Sequence, residues 1–198
     1  MADFLDTLAQ DAISRVRSGY YSVPGGGVPR PCLSLKTSIE RCVHAPIIAE
    51  VKPRSPSRGF LRRIDSPTGV VKAMERGGAV GISVLTEPKN FGGSIDSLKE
   101  ARSSTELPIL MKDIVVDPVQ IEAASKFGAS CVLFIFELFK RGYARHPLEE
   151  MIGLAHRLGL EVLLEAHTKE EFRAALETNC DLVGINNRDL GVGGHERL

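Results

Sequence analysis

Residues 46–59 read PIIAEVKPRSPSRG. Ile47-Ile48-Ala49 running into Val51 predicts a buried strand, yet Glu50 and Lys52 stand at its end, two residues apart. Side chains alternate across a strand, so this spacing turns both charges to one face. With parallel neighbours that face looks into a low-dielectric interior, where an unpaired ion is costly. The two charges therefore either satisfy each other or serve a charged ligand. Pro53, Ser55, Pro56 and Gly59 then break the strand into a loop of turn formers and donors. A strand that carries charges at its carboxyl end and opens into such a loop marks a site in an α/β protein.

The same rhythm continues outward. Short apolar runs rich in β-branched residues occupy 46–52, 79–85, 108–112, 130–136, 160–166 and 181–186. Amphipathic stretches with helical spacing lie between them, at 66–76, 94–102, 118–127, 147–158 and 169–177. Ser66, Asp117 and Thr168 stand where helix caps belong, and Gly77, Gly128 and Gly159 close three of the helices. Near-continuous apolar strands joined by helices predict a parallel sheet covered by helices. Glu50, Lys52, Lys112, Glu165 and Asn186 all fall at or near the ends of different strands. Polar groups converging from many strand ends favour a (β/α)8 TIM barrel over an open sheet, whose ligands gather at one switch point. No G-x-G-x-x-G follows the first strand. Six βα units are present where a closed barrel needs eight, so the expected fold is an incomplete barrel over 46–198. Residues 1–45 form a leader: a helix over 1–17, a Gly- and Pro-rich loop, and a second helix over 34–43 with Leu35, Ile39 and Val43 on one stripe.

Composition excludes several classes. The 25 basic and 25 acidic residues cancel, so nothing points to nucleic acid. No apolar run is long enough to span a bilayer, and the amino terminus lacks the apolar core of a signal peptide. Cys32, Cys42, Cys131 and Cys180 are scattered, which predicts reduced thiols in the cytoplasm and no disulfide framework. No pair of the five histidines has a metal-binding spacing, and the expectation is no metal. A surface or capping role is the default for the histidines; His167 alone follows a strand at the proposed mouth.

Lys112, on the apolar strand PILMK, suits proton transfer, with a salt bridge to Asp113 as the structural alternative. Glu165, ending LEVLLE, suits a general base, or else an ion pair with Lys112 or Lys52 across the mouth. Arg188 can grip a carboxylate or phosphate at two points, unless Asp189 takes it. Phe91, in a long loop carrying Gly92 and Gly93, either stacks on a ring or pins its own loop.

The blocks IIAEVKPRSPSRG, GISVLTEPKNFGGS, LPILMKDIVVDPVQI, GLEVLLEAHTKEE and DLVGINNRDL stand in this order, from about residue 46 to residue 190. Together they resemble the indole-3-glycerol phosphate synthase family. The resemblance implies a (β/α)8 barrel with an amino-terminal helical extension and a role in tryptophan biosynthesis. It implies ring closure, decarboxylation and dehydration of 1-(2-carboxyphenylamino)-1-deoxyribulose 5-phosphate, a small phosphosugar, without cofactor or metal. On the matching positions it implies Lys112 as general acid and Glu165 as general base. Glu50 and Asn186 orient polar groups, and Lys52 neutralises substrate anions. Ser55 and Arg188 bind in the same pocket, and Phe91 faces the aromatic ring. Two departures stand out. Ile114 replaces the usual aromatic after Lys112-Asp113. After GINNRDL the family continues through two further strands and a glycine-rich phosphate cradle, whereas this chain ends at GVGGHERL. The expectation is a carboxyl-terminally incomplete chain. Its alternative reading is an inactive partial barrel, or one that works only with a complementing carboxyl-terminal fragment. Phosphoribosylanthranilate isomerase, another phosphosugar barrel, ranks below because the first strand ends in Glu-x-Lys with no cysteine.

Overall fold

The computed structural model describes residues 3–22 and 33–187 of the 198-residue chain. Helix α1 (Phe4–Arg17) opens with a capping box. Asp3 accepts from the Asp6 amide, and the Asp6 carboxylate accepts from the Asp3 amide. Leu5, Leu8, Ala9 and Ala12 form its buried stripe. Helix α2 (Leu35–Glu40) is shorter than its sequence predicts. Ser34 caps it, the last turn ends at Arg41, and Val43 is left 88% exposed, so the apolar stripe stops at Ile39.

The first strand, β1 (Ile48–Val51), is followed by a small antiparallel pair where an irregular loop is expected: β2 (Arg54–Ser55) and β3 (Gly59–Phe60). Gly59 makes the return possible with a φ of +68°, a backbone setting that glycine adopts without a Cβ penalty. Then come α3 (Thr68–Arg76), β4 (Gly81–Leu85), α4 (Pro88–Phe91), α5 (Ile95–Ser104), β5 (Ile109–Lys112), α6 (Pro118–Lys126) and β6 (Cys131–Ile135). The described chain closes with α7 (Phe136–Lys140), α8 (Leu148–Arg157), β7 (Glu161–Ala166), α9 (Lys169–Leu176) and β8 (Leu182–Ile185). Asp117 and Thr168 cap α6 and α9 as expected. Ser66 also meets the first turn of α3: its hydroxyl accepts from the Thr68 amide at 3.4 Å, with Pro67 between them already helical. Short helices α4 and α7 were not legible as helices. Phe136, expected at the end of a strand, instead starts α7, where Glu137 pairs with Lys140 and Arg141 at helical spacing.

The strands β1, β4, β5, β6, β7 and β8 are all parallel and stand side by side in chain order. An order that never reverses is that of a singly wound barrel, not of a doubly wound sheet. Six flat strands would spread over about 24 Å. Lys52 just past β1 and Gly184 on β8 nevertheless line one cavity, so the sheet is curled. This is an incomplete (β/α)8 barrel among the described residues.

Alternation sorts the strands into two cores. Ile82, Val84, Ile109, Met111, Val132, Phe134, Val162 and Leu164 face outward against the helices. Leu110, Cys131, Leu133 and Ile135 face inward, joined by Leu163 and Leu182. The leader plugs this interior from both ends. At the carboxyl ends of the strands, α1 contributes Leu5, Leu8, Ala9 and Ala12 to the inner cluster. At the amino ends, Leu35 of α2 packs against Gly81, where an added Cβ would meet Leu35 at 2.5 Å. Glu161, first in β7, accepts from the amides of Leu35 at 2.7 Å and Lys36 at 3.1 Å and from the Ser34 hydroxyl, fixing α2 there.

Arg141, just beyond α7, ties α1 to the barrel. Its Nη1 reaches Asp3 and Asp6, each at 2.7 Å, and the Tyr143 hydroxyl donates to Asp6 at 2.9 Å. The Asp3 amide, then Arg141 and Tyr143, hold the Asp6 carboxyl at about 2 against an ordinary 3.8. A depressed carboxylate contributes stability above its unfolded value and loses it as pH falls towards the folded one. The Asp6 contribution is therefore expected in full above pH 4 and lost between about 4 and 2. In thermal melts, the parent should lose more Tm between pH 5 and pH 3 than Asp6→Asn does; equal losses would contradict the anchoring role.

Among the described residues no helix is long and apolar enough to cross a membrane.

Candidate active site

Strand register builds the site before any side chain is considered. Glu50 stands beside Ser83, Leu85 beside Lys112, Ile135 beside Glu165, and Glu165 beside Gly184. All are on the inward face at the carboxyl ends. Above them opens a cavity of about 470 Å³. Lys52, Phe91, Lys112, Glu165 and Asn186 line it, as do Phe4 and Leu8 of α1.

Lys112 and Glu165 come from strands separated by β6 and reach across it. The Nζ–Oε2 distance is 3.4 Å, at the long end for a hydrogen bond. Lys112 thus pairs with Glu165, one of the partners its sequence left open, and not with Asp113. The other oxygen of Glu165 accepts from Asn186 Nδ2 at 2.8 Å. Glu50 and Lys52 satisfy each other at 3.1 Å, and Ser83 donates to the second Glu50 oxygen at 3.3 Å. Lys52 Nζ also stands 5.6 Å from the centre of the Phe91 ring, a cation–π distance. So one rim of the cavity is an aromatic face under an ammonium group, and the other is an acid–base pair.

Phe91, expected in a long loop, stands in a short helix. It ends α4, whose cap Glu87 is fully buried and accepts from the amides of Lys89, Asn90 and Phe91. Gly93 lets this turn fold onto β4: a Cβ there would lie 2.0 Å from the Leu85 carbonyl oxygen. Ser55 is 2% exposed with its hydroxyl 3.1 Å from that of Ser57, and Ser57 is the one that lines the cavity. Ile114 also lines the wall. Arg188 lies outside the described residues.

A second polar cluster sits directly behind Lys112, and sequence reading missed it. Arg15 of α1 donates to Glu87 at 2.9 Å and to Asp113 at 3.3 Å. Asp113 also accepts from Tyr21 at 2.9 Å, Thr86 at 2.6 Å and the Ile114 amide at 2.7 Å. Burial pushes the Asp113 carboxyl up, while Arg15, then Thr86, Ile114 and Tyr21, pull it back. Arg15 continues the buried face of α1, seven residues after Leu8 and three after Ala12. That spacing was the available signal for a buried charge. His167 was also underrated: it is only 14% exposed, with Nε2 3.5 Å from Glu165. His156 instead pairs with Asp181 at 2.9 Å, away from the cavity. Among the described residues no group of three or more His, Cys, Asp or Glu could hold a metal ion.

Residues 14–192 match the family model described as indole-3-glycerol phosphate synthase. The enzyme of that name from Pyrococcus abyssi (strain GE5 / Orsay) is 43% identical over 157 residues, covering 79% of this chain and 66% of that protein. Its counterpart from Methanopyrus kandleri is 45% identical over 146 residues, 73% of this chain and 56% of that protein. The one from Leptospira interrogans is 39% identical over 163 residues, 82% and 63%. The chain spans between 55% and 67% of the length of eight such relatives. Among solved structures, the flavin-binding domain of baker's yeast flavocytochrome b2 aligns with a TM-score of 0.49 at 17% identity, over 77% of this chain and 46% of that one. That likeness is too distant to bear on the site.

Proposed function

Because this chain belongs to the indole-3-glycerol phosphate synthase family, we propose that it closes the indole ring of 1-(2-carboxyphenylamino)-1-deoxyribulose 5-phosphate with loss of carbon dioxide and water. The observation that carries the reading is the Lys112–Glu165 pair: an acid and a base of opposite type, 3.4 Å apart, facing one cavity.

The roles follow from position. Lys112 protonates the carbonyl, and later the departing hydroxyl, from the inner face of β5. Glu165 removes the proton that lets the ring become aromatic. Transition-state proton transfers of this kind need the donor and acceptor held at separate points around one molecule. Here β5 and β7 hold them, with β6 between. Asn186 fixes one oxygen of Glu165 and leaves the other to exchange Lys112 for substrate. Lys52, above Phe91, draws the substrate carboxylate onto the reacting carbon while the benzene ring lies against Phe91. Glu50 and Ser83 keep Lys52 at that rim. Ser55, through Ser57, and Arg188 complete binding in the same pocket. Holding the aromatic ring and its carboxylate at one rim, with the acid and base at the other, converts ring closure into an orientation effect. Residues 1–45 serve as the leader and 46–198 as the barrel portion.

The test is direct. The purified chain is mixed with the anilino-sugar phosphate, and indole product is followed by its fluorescence. Turnover that disappears in Glu165→Gln supports the reading. No turnover, alone or with added polypeptide supplying two further βα units, overturns it. Turnover only with that polypeptide assigns the chain a complementing partner.

A further inference from the structure

His167 occupies an unusual position. Both its ring nitrogens are buried, and neither has a hydrogen-bond partner among the described residues. Buried polar atoms are rarely left so. Nor is the ring adrift. The residue follows Glu165 by two, just past the end of β7, and its ring stands against that carboxylate. Its backbone amide donates to Glu171 at 2.8 Å. Glu171 is itself 4% exposed. The ring is thus set between two carboxylates, with Nε2 3.5 Å from Glu165 Oε1 and Nδ1 3.8 Å from Glu171 Oε2. Each distance falls just outside a hydrogen bond.

Glu165 has room for another donor. Among the described residues, Oε1 accepts from Asn186 at 2.8 Å, while Oε2 faces Lys112. A carboxylate oxygen accepts two hydrogen bonds. When Lys112 turns to the substrate, Glu165 loses its cation and one of its two restraints.

We propose that His167 is a positioning residue for Glu165: its Nε2–H closes onto Oε1 when Lys112 leaves, and with Asn186 it fixes the plane of the carboxylate. This rests on Glu165 acting as the base, as read above. The step makes one hydrogen bond and transfers no proton. Any form of the ring with hydrogen on Nε2 suffices.

Two measurements test it. The first needs no activity. Imidazole 15N and 1H resonances of His167 are compared in the parent, in Lys112→Ala and in Lys112→Ala/Glu165→Ala. Removing Lys112 should move the Nε2–H proton downfield, and removing Glu165 as well should reverse the shift. An unmoved proton overturns the proposal. The second is kinetic. His167→Ala should lower kcat by about tenfold to a hundredfold, the scale of a misplaced catalytic group, with KM within about threefold. His167→Gln keeps an N–H donor and should restore most of the loss. Equal losses in both variants, or a change in KM alone, overturn the positioning role. A parent without turnover, both alone and with the added polypeptide, sinks the functional reading instead, and the resonance experiment still decides His167.

Discussion

Lys112→Ala is expected to lower kcat by about a thousandfold while substrate affinity stays within about tenfold. The asymmetry follows from where the ammonium group sits. In the resting site it faces Glu165, so a bound substrate gains little ground-state attraction from it. Lys52 and Phe91 supply that attraction at the opposite rim. What Lys112 adds arises only when negative charge grows on a carbonyl or hydroxyl oxygen. Lys112→Arg should recover little, because a planar, permanently charged guanidinium does not release a proton near neutrality. Steady-state kinetics on purified variants of a turning-over protein decide the matter. An unchanged kcat would remove Lys112 from the chemistry.

The largest loss of stability is expected at Asp113. Asp113→Ala strands the Tyr21 and Thr86 hydroxyls and the Ile114 amide, and removes one of the two carboxylates that hold Arg15. Breaking a buried ion pair from one side costs about 3–5 kcal/mol, which lowers Tm by about 10 °C in a chain of this size. Asp113→Asn retains an acceptor and should lose less. Arg15→Met removes the cation that both Glu87 and Asp113 use. It should also loosen α4, read as faster amide exchange at residues 89–91. A melt of Asp113→Ala within about 2 °C of the parent would show that the cluster is not an anchor.

Much of the barrel was visible in the residues because a parallel strand announces itself twice, by its apolar run and by the amphipathic helix that must follow. The polar residues ending those runs were equally visible, since Glu50, Lys112 and Glu165 interrupt patterns that packing alone would keep apolar. What stayed hidden depends on contacts between distant parts of the chain. Arg15 looks like any basic residue in the last turn of a helix. Only folding reveals that it lies against Glu87 and Asp113, 72 and 98 positions away. Helix α4 was hidden for a different reason: four residues carry no period, and its stability comes from one buried carboxylate and a glycine pressed on a carbonyl. Val43 shows the reverse error, an apolar residue at helical spacing for which no apolar neighbour was waiting. His167 adjoins the site in sequence, yet its two unsatisfied nitrogens are a property of geometry alone.

The leader is a lid and a stopper on one string, with α1 over the mouth and α2 seated on Glu161 at the floor. While α2 stays seated at the floor, the covalent connection keeps α1 near the mouth at high effective concentration. A single backbone cut between residues 22 and 33 would make α1 a separate peptide. Coverage of the mouth, and whatever the protein does beneath it, would then fade on dilution.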